Sequence, residues 1–118
     1  MLIQFLEIVT PDVDSTCSTL ADLHGVTFAA PDPALGNGRT AALEGGGRIS
    51  VRAPMRADEQ PVVRPYGLVG DIQAAVEAAR AAGAELAVPP MEIPGHGQFA
   101  IYILGGIEHG LWQTKEED

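Results

Sequence analysis

The feature that most constrains this chain is an internal repeat. A short apolar stretch leads into Asp12 and another leads into Asp71, 59 residues later, and apolar residues at helical spacing follow each aspartate. A glycine ends each helical stripe, Gly25 in the first copy and Gly83 in the second. Aspartate suits a helix N-cap because its carboxylate accepts from free amides, and glycine suits a helix end because it tolerates positive φ. The chain is therefore predicted to contain two copies of one unit.

Each copy is predicted to be a β-α-β-β-β module, which gives an α+β fold. Strands are expected over residues 3–9, 26–29, 39–43 and 48–52 in the first copy, and Pro-Pro, Pro-Gly and Gly-Gly breaks separate three short strands in the second. Because each module alone leaves an apolar sheet face open, we expect one domain over residues 1–118. Its predicted parts are module one (1–52), a proline-rich linker (53–65), module two (66–113) and a tail (114–118).

Composition narrows the choice of partners and compartment. A formal net charge of -9 makes nucleic acid and anionic membrane poor partners. The N-terminus lacks a signal-peptide pattern because Glu7 interrupts its apolar start, and no apolar run approaches the roughly 18 residues of a membrane span. The single cysteine, Cys17, permits no internal disulfide and lies on the apolar stripe of the first helix. We therefore expect a cytoplasmic protein in which Cys17 is buried.

Three stretches resemble a known superfamily. They are Gly-Asp-Ile-Gln-Ala-Ala-Val at 70–76, Val-Pro-Pro-Met-Glu-Ile-Pro-Gly at 88–95 and Gly-Leu-Trp-Gln at 110–113. Together with the repeat, they resemble the vicinal oxygen chelate superfamily, which includes glyoxalase I, extradiol dioxygenases and the bleomycin-resistance proteins. The resemblance covers nearly the whole chain. It implies a glyoxalase/bleomycin-resistance-like fold, with two βαβββ modules forming a U-shaped mixed sheet around a cavity, and it implies a homodimer.

The metal-dependent members of that superfamily place one ligand on each of four strands. Alignment from the two aspartates and the last strands matches those positions to Phe5, Ser50, Arg64 and Gly110. Phenylalanine and glycine side chains have no donor atoms, arginine does not ligate a divalent ion, and serine is a poor ligand alone. We therefore expect no metal and no cofactor, which removes the chemistry of glyoxalase I and of the extradiol dioxygenases.

Alternation along the strands selects candidate ligand-binding residues. Counting back from the two aspartates turns Phe5 and Glu7 toward the predicted cavity, and likewise Arg64 and Tyr66. The last strand of each module adds charged and aromatic side chains, and Phe99 is a further aromatic candidate. His96, between two glycines, is predicted to lie on a loop at the mouth of the cavity. The predicted ligand-binding residues are Phe5, Glu7, Arg52, Arg64, Tyr66, His96, Glu108 and Trp112.

Three functions remain open at this stage, and the third, after the two described next, is a compact chain without an open cavity that acts through its dimer surface. One is a protein that binds a small molecule without catalysis, as the bleomycin-resistance branch does, with aromatic side chains for stacking and charged side chains for orientation. The other is a metal-independent lyase, isomerase or hydrolase that acts on a small carbonyl compound with Glu7 as general base. A plainer interpretation of Glu7 is an ion pair with Arg52 or Arg64, because a buried charge needs a partner. The sequence does not decide whether the chain is an enzyme.

Overall fold

The computed structural model describes residues 1–115, and these form two α-helices and seven β-strands. Neither helix is long and apolar enough to cross a membrane. A short 3-10 helix also covers Pro33–Leu35. In chain order the elements are β1 (Ile3–Val9), α1 (Val13–His24), β2 (Arg39–Ala42), β3 (Arg48–Arg52), β4 (Val62–Leu68), α2 (Ile72–Ala81), β5 (Glu85–Ile93), β6 (Gly97–Leu104) and β7 (Ile107–Thr114).

The chain folds as two compact units. The amino-terminal unit is Phe5–Val63, and the carboxy-terminal unit is Met1–Gln4 together with the chain from Arg64 onward. In the amino-terminal unit the strand order is β2-β3-β1, with β3 antiparallel to β2 and parallel to β1. In the carboxy-terminal unit the order is β4-β7-β6-β5, with one parallel pair and two antiparallel pairs. Each unit therefore carries its own mixed set of strands.

The helix boundaries follow the predicted capping residues. Both helices begin directly after their aspartate, and the Asp71 carboxylate accepts from the amide of Ala74 at 3.1 Å. At the other end of α2, Gly83 has a φ of +100° and donates its amide to the Arg80 carbonyl at 3.0 Å. The Asp12 side chain makes no capping hydrogen bond to α1, although the predicted helix start is confirmed.

One predicted strand is absent, and another strand begins before the predicted start of module two. Residues 26–29, all within the described part of the chain, do not form a strand. Ala29 donates one backbone hydrogen bond to Thr40, but Pro31 follows closely and has no N–H with which to extend a ladder. The fourth strand begins at Val62, inside the predicted linker, because extended backbone suits both the β-branched valines and the fixed φ of Pro65. Of the predicted tail, Thr114 belongs to β7, and residues 116–118 lie outside the described part.

Helix α2 covers one face of the carboxy-terminal strands. Buried Ile72 and Val76 on the helix pack against Ala100 of β6, and the surrounding apolar residues are Val69, Leu86 and Leu111. Because side chains alternate along a strand, the neighbours of these residues point away from the helix. The opposite face of β4, β6 and β7 is therefore available for other contacts, and it carries the aromatic residues of the unit.

Gly110 allows a close approach on that opposite face. It lies beside Tyr66 in the parallel pairing of β4 with β7. A Cβ atom added to Gly110 would lie 2.2 Å from Cδ2 of the Tyr66 ring, so the ring lies directly across the glycine. Only a residue without a side chain permits this packing.

We expect Gly110→Ala to lower the free energy of unfolding by about 1–3 kcal/mol, because an added methyl group would overpack a buried aromatic contact. Gly70→Ala is the matched control, since nothing lies within 4 Å of a Cβ at Gly70. Urea unfolding of both variants measures the difference. Equal stability of the two variants would show that the Tyr66 ring shifts freely and that the packing at Gly110 is not a constraint.

Candidate functional site

Three aromatic side chains form a cluster on the carboxy-terminal unit, away from α2. The Tyr66 and Trp112 rings meet edge to face, with centroids 5.8 Å apart and planes at 88°. Phe99 meets Tyr66 in the same manner at 6.3 Å and 67°. Tyr66 and Trp112 are buried, whereas Phe99 is half-buried. We call these three residues the aromatic cluster, and its accessible part is Phe99.

An ion pair lies beside the aromatic cluster. Arg64 on β4 donates from Nη2 to Oε1 of Glu108 on β7 at 2.7 Å. Each residue lies two positions before a member of the Tyr66–Gly110 pair, so both side chains share the face of the aromatic cluster. The Arg64 side chain is buried, but the Glu108 side chain is 46% exposed. The face thus combines aromatic surface with an accessible carboxylate.

The amino-terminal unit holds a buried arginine between two carboxylates. Arg52 donates from Nε to Glu7 Oε2 at 2.8 Å. Its Nη1 and Nη2 atoms donate to the two oxygens of Glu59 at 2.9 and 2.8 Å. The three side chains are 6%, 12% and 10% exposed for Arg52, Glu7 and Glu59. The interpretation that Glu7 forms an ion pair is confirmed, with Arg52 as a partner.

The hydrogen bonds between Arg52 and Glu59 favour the charged form of each side chain. The hydrogen bond from Arg52 holds the pKa of Glu59 well below its usual range, at about 2, and the amide of Met55 adds a second hydrogen bond at 2.7 Å. The hydrogen bond to Glu59 in turn raises the pKa of Arg52 above its ordinary value. Sequence reasoning missed Glu59 because it lies in the irregular connection between β3 and β4, where no periodicity indicates which side chains turn inward.

The predicted ligand-binding residues divide between the two units. Phe5, Glu7 and Arg52 belong to the amino-terminal unit, where Phe5 is also buried. The carboxy-terminal unit contains Arg64, Tyr66, His96, Glu108 and Trp112. Within it, the structure brings four of these residues together in the aromatic cluster and its ion pair. The remaining one, His96, lies in the turn between β5 and β6.

The β5–β6 turn borders an open groove. His96 donates its amide to the Ile93 carbonyl at 2.9 Å, which closes the turn. The groove has a volume of about 490 Å³, and its polar lining includes Glu92, Gln98 and Lys115. Gln113 lines it too, and its side-chain oxygen accepts from the Ile72 amide at the start of α2.

Cys17 is buried on α1, as the helical stripe predicts. Its residue surface is 2% exposed, and burial raises the pKa of its thiol, although the nearby Arg39 guanidinium opposes the shift. A buried thiol of raised pKa is a poor nucleophile. This residue therefore packs as a small apolar side chain.

The four positions predicted from the sequence to match the superfamily's metal ligands carry side chains that do not suit a divalent ion. The Tyr66 ring covers the Gly110 position, and Arg64 turns its guanidinium to Glu108. The hydroxyl of buried Ser50 packs against Gly38, where an added Cβ would lie 2.3 Å from the oxygen. Residues 1–115 contain no group of three or more His, Cys, Asp or Glu side chains arranged to hold a metal.

We expect Glu59→Gln to lower the free energy of unfolding by about 2 kcal/mol at neutral pH, because it removes a charge-assisted bidentate hydrogen bond. The pKa of Glu59 is depressed from 4.5 to about 2, so its contribution is present above pH 4.5 and is lost as pH falls toward 2. The difference between wild type and variant should therefore shrink over that window. Urea unfolding at a series of pH values measures it, with Glu44→Gln as the exposed-carboxylate control. A difference that does not change with pH would rule out the ionic contribution.

The chain was compared with known proteins by sequence and by structure. The chain matches no protein-family model and no curated protein by sequence. Its structure is similar to methylmalonyl-CoA epimerase from Mycobacterium tuberculosis, with 16% identity, 97% of this chain and 88% of that chain covered, and a TM-score of 0.77. It is also similar to hypothetical protein BH1468 from Bacillus halodurans, with 15% identity, 99% and 96% covered, and a TM-score of 0.76.

A third solved structure carries a bound molecule. It is a methylmalonyl-CoA epimerase from Streptomyces coelicolor in complex with 2-nitronate-propionyl-CoA, with 16% identity, 97% of each chain covered and a TM-score of 0.66. The element order of the present chain, two α-helices and seven strands in α+β arrangement, agrees with these neighbours. The predicted α+β fold class is confirmed, and the chain has the glyoxalase/bleomycin-resistance-like fold of these epimerases.

Proposed function

We propose that this chain binds a small organic molecule on the aromatic face of its carboxy-terminal unit, without the divalent metal of the superfamily. One observation carries the proposal. The Tyr66 ring occupies the space over Gly110, so an aromatic surface lies at a strand position where metal-dependent members carry a ligand. A surface of this kind favours stacking and apolar contact rather than coordination.

The face provides both parts of a typical small-molecule site. Phe99 supplies the accessible aromatic surface, and it contacts the buried Tyr66 ring, which in turn contacts Trp112. Glu108 presents a partly exposed carboxylate that is held in place by Arg64. Because the formal net charge is -9, the general field favours a flat cationic ligand over an anionic one. Phe5, Glu7 and Arg52 of the amino-terminal unit and His96 of the β5–β6 turn stay predicted ligand-binding residues, apart from this face.

The structural neighbours support a binding role for the fold. One of them holds 2-nitronate-propionyl-CoA, a small organic molecule. The enzymatic alternative, with Glu7 as general base, has less support because the Glu7 carboxylate already accepts from Arg52. Glu7→Gln distinguishes the enzyme from the binding protein. An enzyme that uses Glu7 as general base would keep its ligand affinity and lose turnover, whereas a binding protein would lose only modest affinity.

A titration with proflavine, a flat aromatic cation, tests the proposed site. We expect saturable quenching of the fluorescence of Trp112, the only tryptophan in the sequence. Phe99→Ala should weaken binding by about 1–3 kcal/mol because it removes the accessible ring of the aromatic cluster. Phe28→Ala removes another half-buried ring, in the amino-terminal unit, and should leave affinity unchanged.

Two further measurements complete this test. Treatment with a chelator should leave the proflavine titration unchanged, and elemental analysis should show less than one transition-metal ion per chain. Unsaturable quenching, or equal weakening by both phenylalanine variants, would overturn the aromatic face as the site. Binding that is lost on chelation would overturn the metal-free part of the proposal.

The chain is also proposed to form a homodimer in the cytoplasm. Leu104 and Ile107 flank the β6–β7 turn and are 51% and 63% exposed, so this hairpin offers apolar surface for association. The lone buried thiol of Cys17 is compatible with a reducing compartment.

Sedimentation at tens of micromolar should give about twice the 12.3 kDa mass of one chain. Ile107→Asp should shift the population toward monomer, because it places a charge in the apolar contact. Leu23→Asp, at an equally exposed apolar position on α1, is the control and should not. A wild-type monomer under these conditions would exclude the dimer, and an equal response of both variants would exclude the hairpin as its interface.

A further inference from the structure

Arg52 meets its two carboxylate partners in different ways. The strands that carry Glu7 and Arg52, β1 and β3, are paired neighbours, so the sheet fixes the contact from Nε to Glu7. Glu59 comes instead from the connecting loop, which we define as residues 53–61 between β3 and β4. It occupies the outer fork of the guanidinium, formed by Nη1 and Nη2. A parallel pair of N–H donors is the geometry with which arginine recognises a carboxylate of any origin.

Several contacts that hold the connecting loop involve Glu59, and Arg52 Nη1 also donates to the Ala53 carbonyl at 3.2 Å. The Oε1 atom of Glu59 accepts from the Met55 amide as well as from Arg52, and its own amide donates to the Arg56 carbonyl at 3.2 Å. The Met55 side chain packs on Gly36, which ties the loop to the 3-10 turn. The other ion pair of the loop joins Arg56 to Asp58. It is exposed to solvent, so it contributes little to the stability of the loop. Release of the Glu59 carboxylate would therefore free most of the loop.

We infer that the outer fork of Arg52 is a binding site for a ligand carboxylate, and that Glu59 fills this site in the unliganded chain. The inference goes beyond the proposed function, because it assigns a second, separate site on the amino-terminal unit and names the ligand group that Arg52 recognises there. Exchange preserves the charge balance at Arg52, since one carboxylate leaves the guanidinium and another replaces it. The displaced Glu59 moves with its loop into water, where its charge is solvated.

The energetics make this exchange accessible. A buried guanidinium that lost Glu59 without replacement would keep only one carboxylate partner, which is costly. A ligand carboxylate removes that cost. Because a carboxylate tethered by a short loop competes at an effective concentration of roughly millimolar order or above, free carboxylate at tens to hundreds of millimolar should compete with it. A ligand that makes further contacts with the chain would displace Glu59 at a far lower concentration.

Limited trypsin digestion of the wild-type chain tests the exchange with acetate as the probe. The bond after Arg56 lies in the connecting loop and is cut only when several flanking residues are released. We expect acetate, at concentrations up to about 200 mM, to accelerate this cleavage several-fold compared with chloride at equal ionic strength. Cleavage after Arg80, inside α2, is the internal control for global opening and should not change.

Two variants sharpen the result. Glu59→Gln keeps the shape of the side chain but loses its charge, so the Arg56 bond should be cut quickly without acetate. In this variant, acetate should raise the melting temperature, because it binds a vacated fork in the folded state. Arg52→Lys keeps the positive charge but removes the fork, and it should respond to acetate in neither assay. Arg52→Lys keeps a cation beside Glu7. If Arg52→Lys does not fold, the Glu59→Gln variant still tests the inference.

The outcomes separate this inference from the proposed aromatic site. Acetate-specific release of the loop with no saturable proflavine binding would support the carboxylate site and refute the aromatic one. If acetate and chloride act alike on Arg56 cleavage in wild type and on melting of Glu59→Gln, the carboxylate site is refuted. Parallel acceleration at Arg56 and Arg80 would refute it as well, because it would show general opening of the chain.

Discussion

The burial of the Arg52 guanidinium is the constraint around which the amino-terminal unit is arranged. A buried cation is tolerable only where enough acceptors surround it, and one carboxylate cannot satisfy five N–H donors. Glu7 on the neighbouring strand supplies one contact, and the chain must return after β3 to supply Glu59. The path of residues 53–61 is therefore set by electrostatics rather than by apolar packing. This explains why a largely exposed loop with few apolar contacts holds a defined position.

The carboxy-terminal unit is arranged around a different constraint. On its face opposite α2, the Tyr66 ring lies across Gly110. Its arginine, Arg64, bonds a carboxylate that remains partly in water. The same scaffold thus supports an enclosed ion-pair network in one unit and an aromatic surface with an accessible charge in the other. Fold likeness to the epimerases consequently says little about chemistry, which depends on these side chains.

The sequence predicted those parts of the fold that local rules control. The α2 boundaries follow from one carboxylate at Asp71 and one positive φ at Gly83, and both can be read without a partner strand. The pairing of Glu7 with an arginine followed from the cost of a buried charge. Glu59 could not be found in this way, because its role depends on a turn whose direction no periodic pattern records. The strand predicted over residues 26–29 is absent for a related reason. Strand propensity produces a strand only where a neighbouring strand can continue the hydrogen-bonded ladder.

The two arginines also suggest why only one unit needs a mobile element. Glu108 is carried by β7, so its distance from Arg64 is fixed by strand pairing, and its exposed side makes it reachable without any rearrangement. Glu59 is as buried as the arginine that it bonds, and no ligand reaches the outer fork of Arg52 while it is in place. A carboxylate carried by a loop can leave without breaking a ladder of backbone hydrogen bonds, whereas one carried by a strand cannot. Exposure and backbone context therefore assign direct contact to the Arg64 pair and displacement to the Arg52 pair.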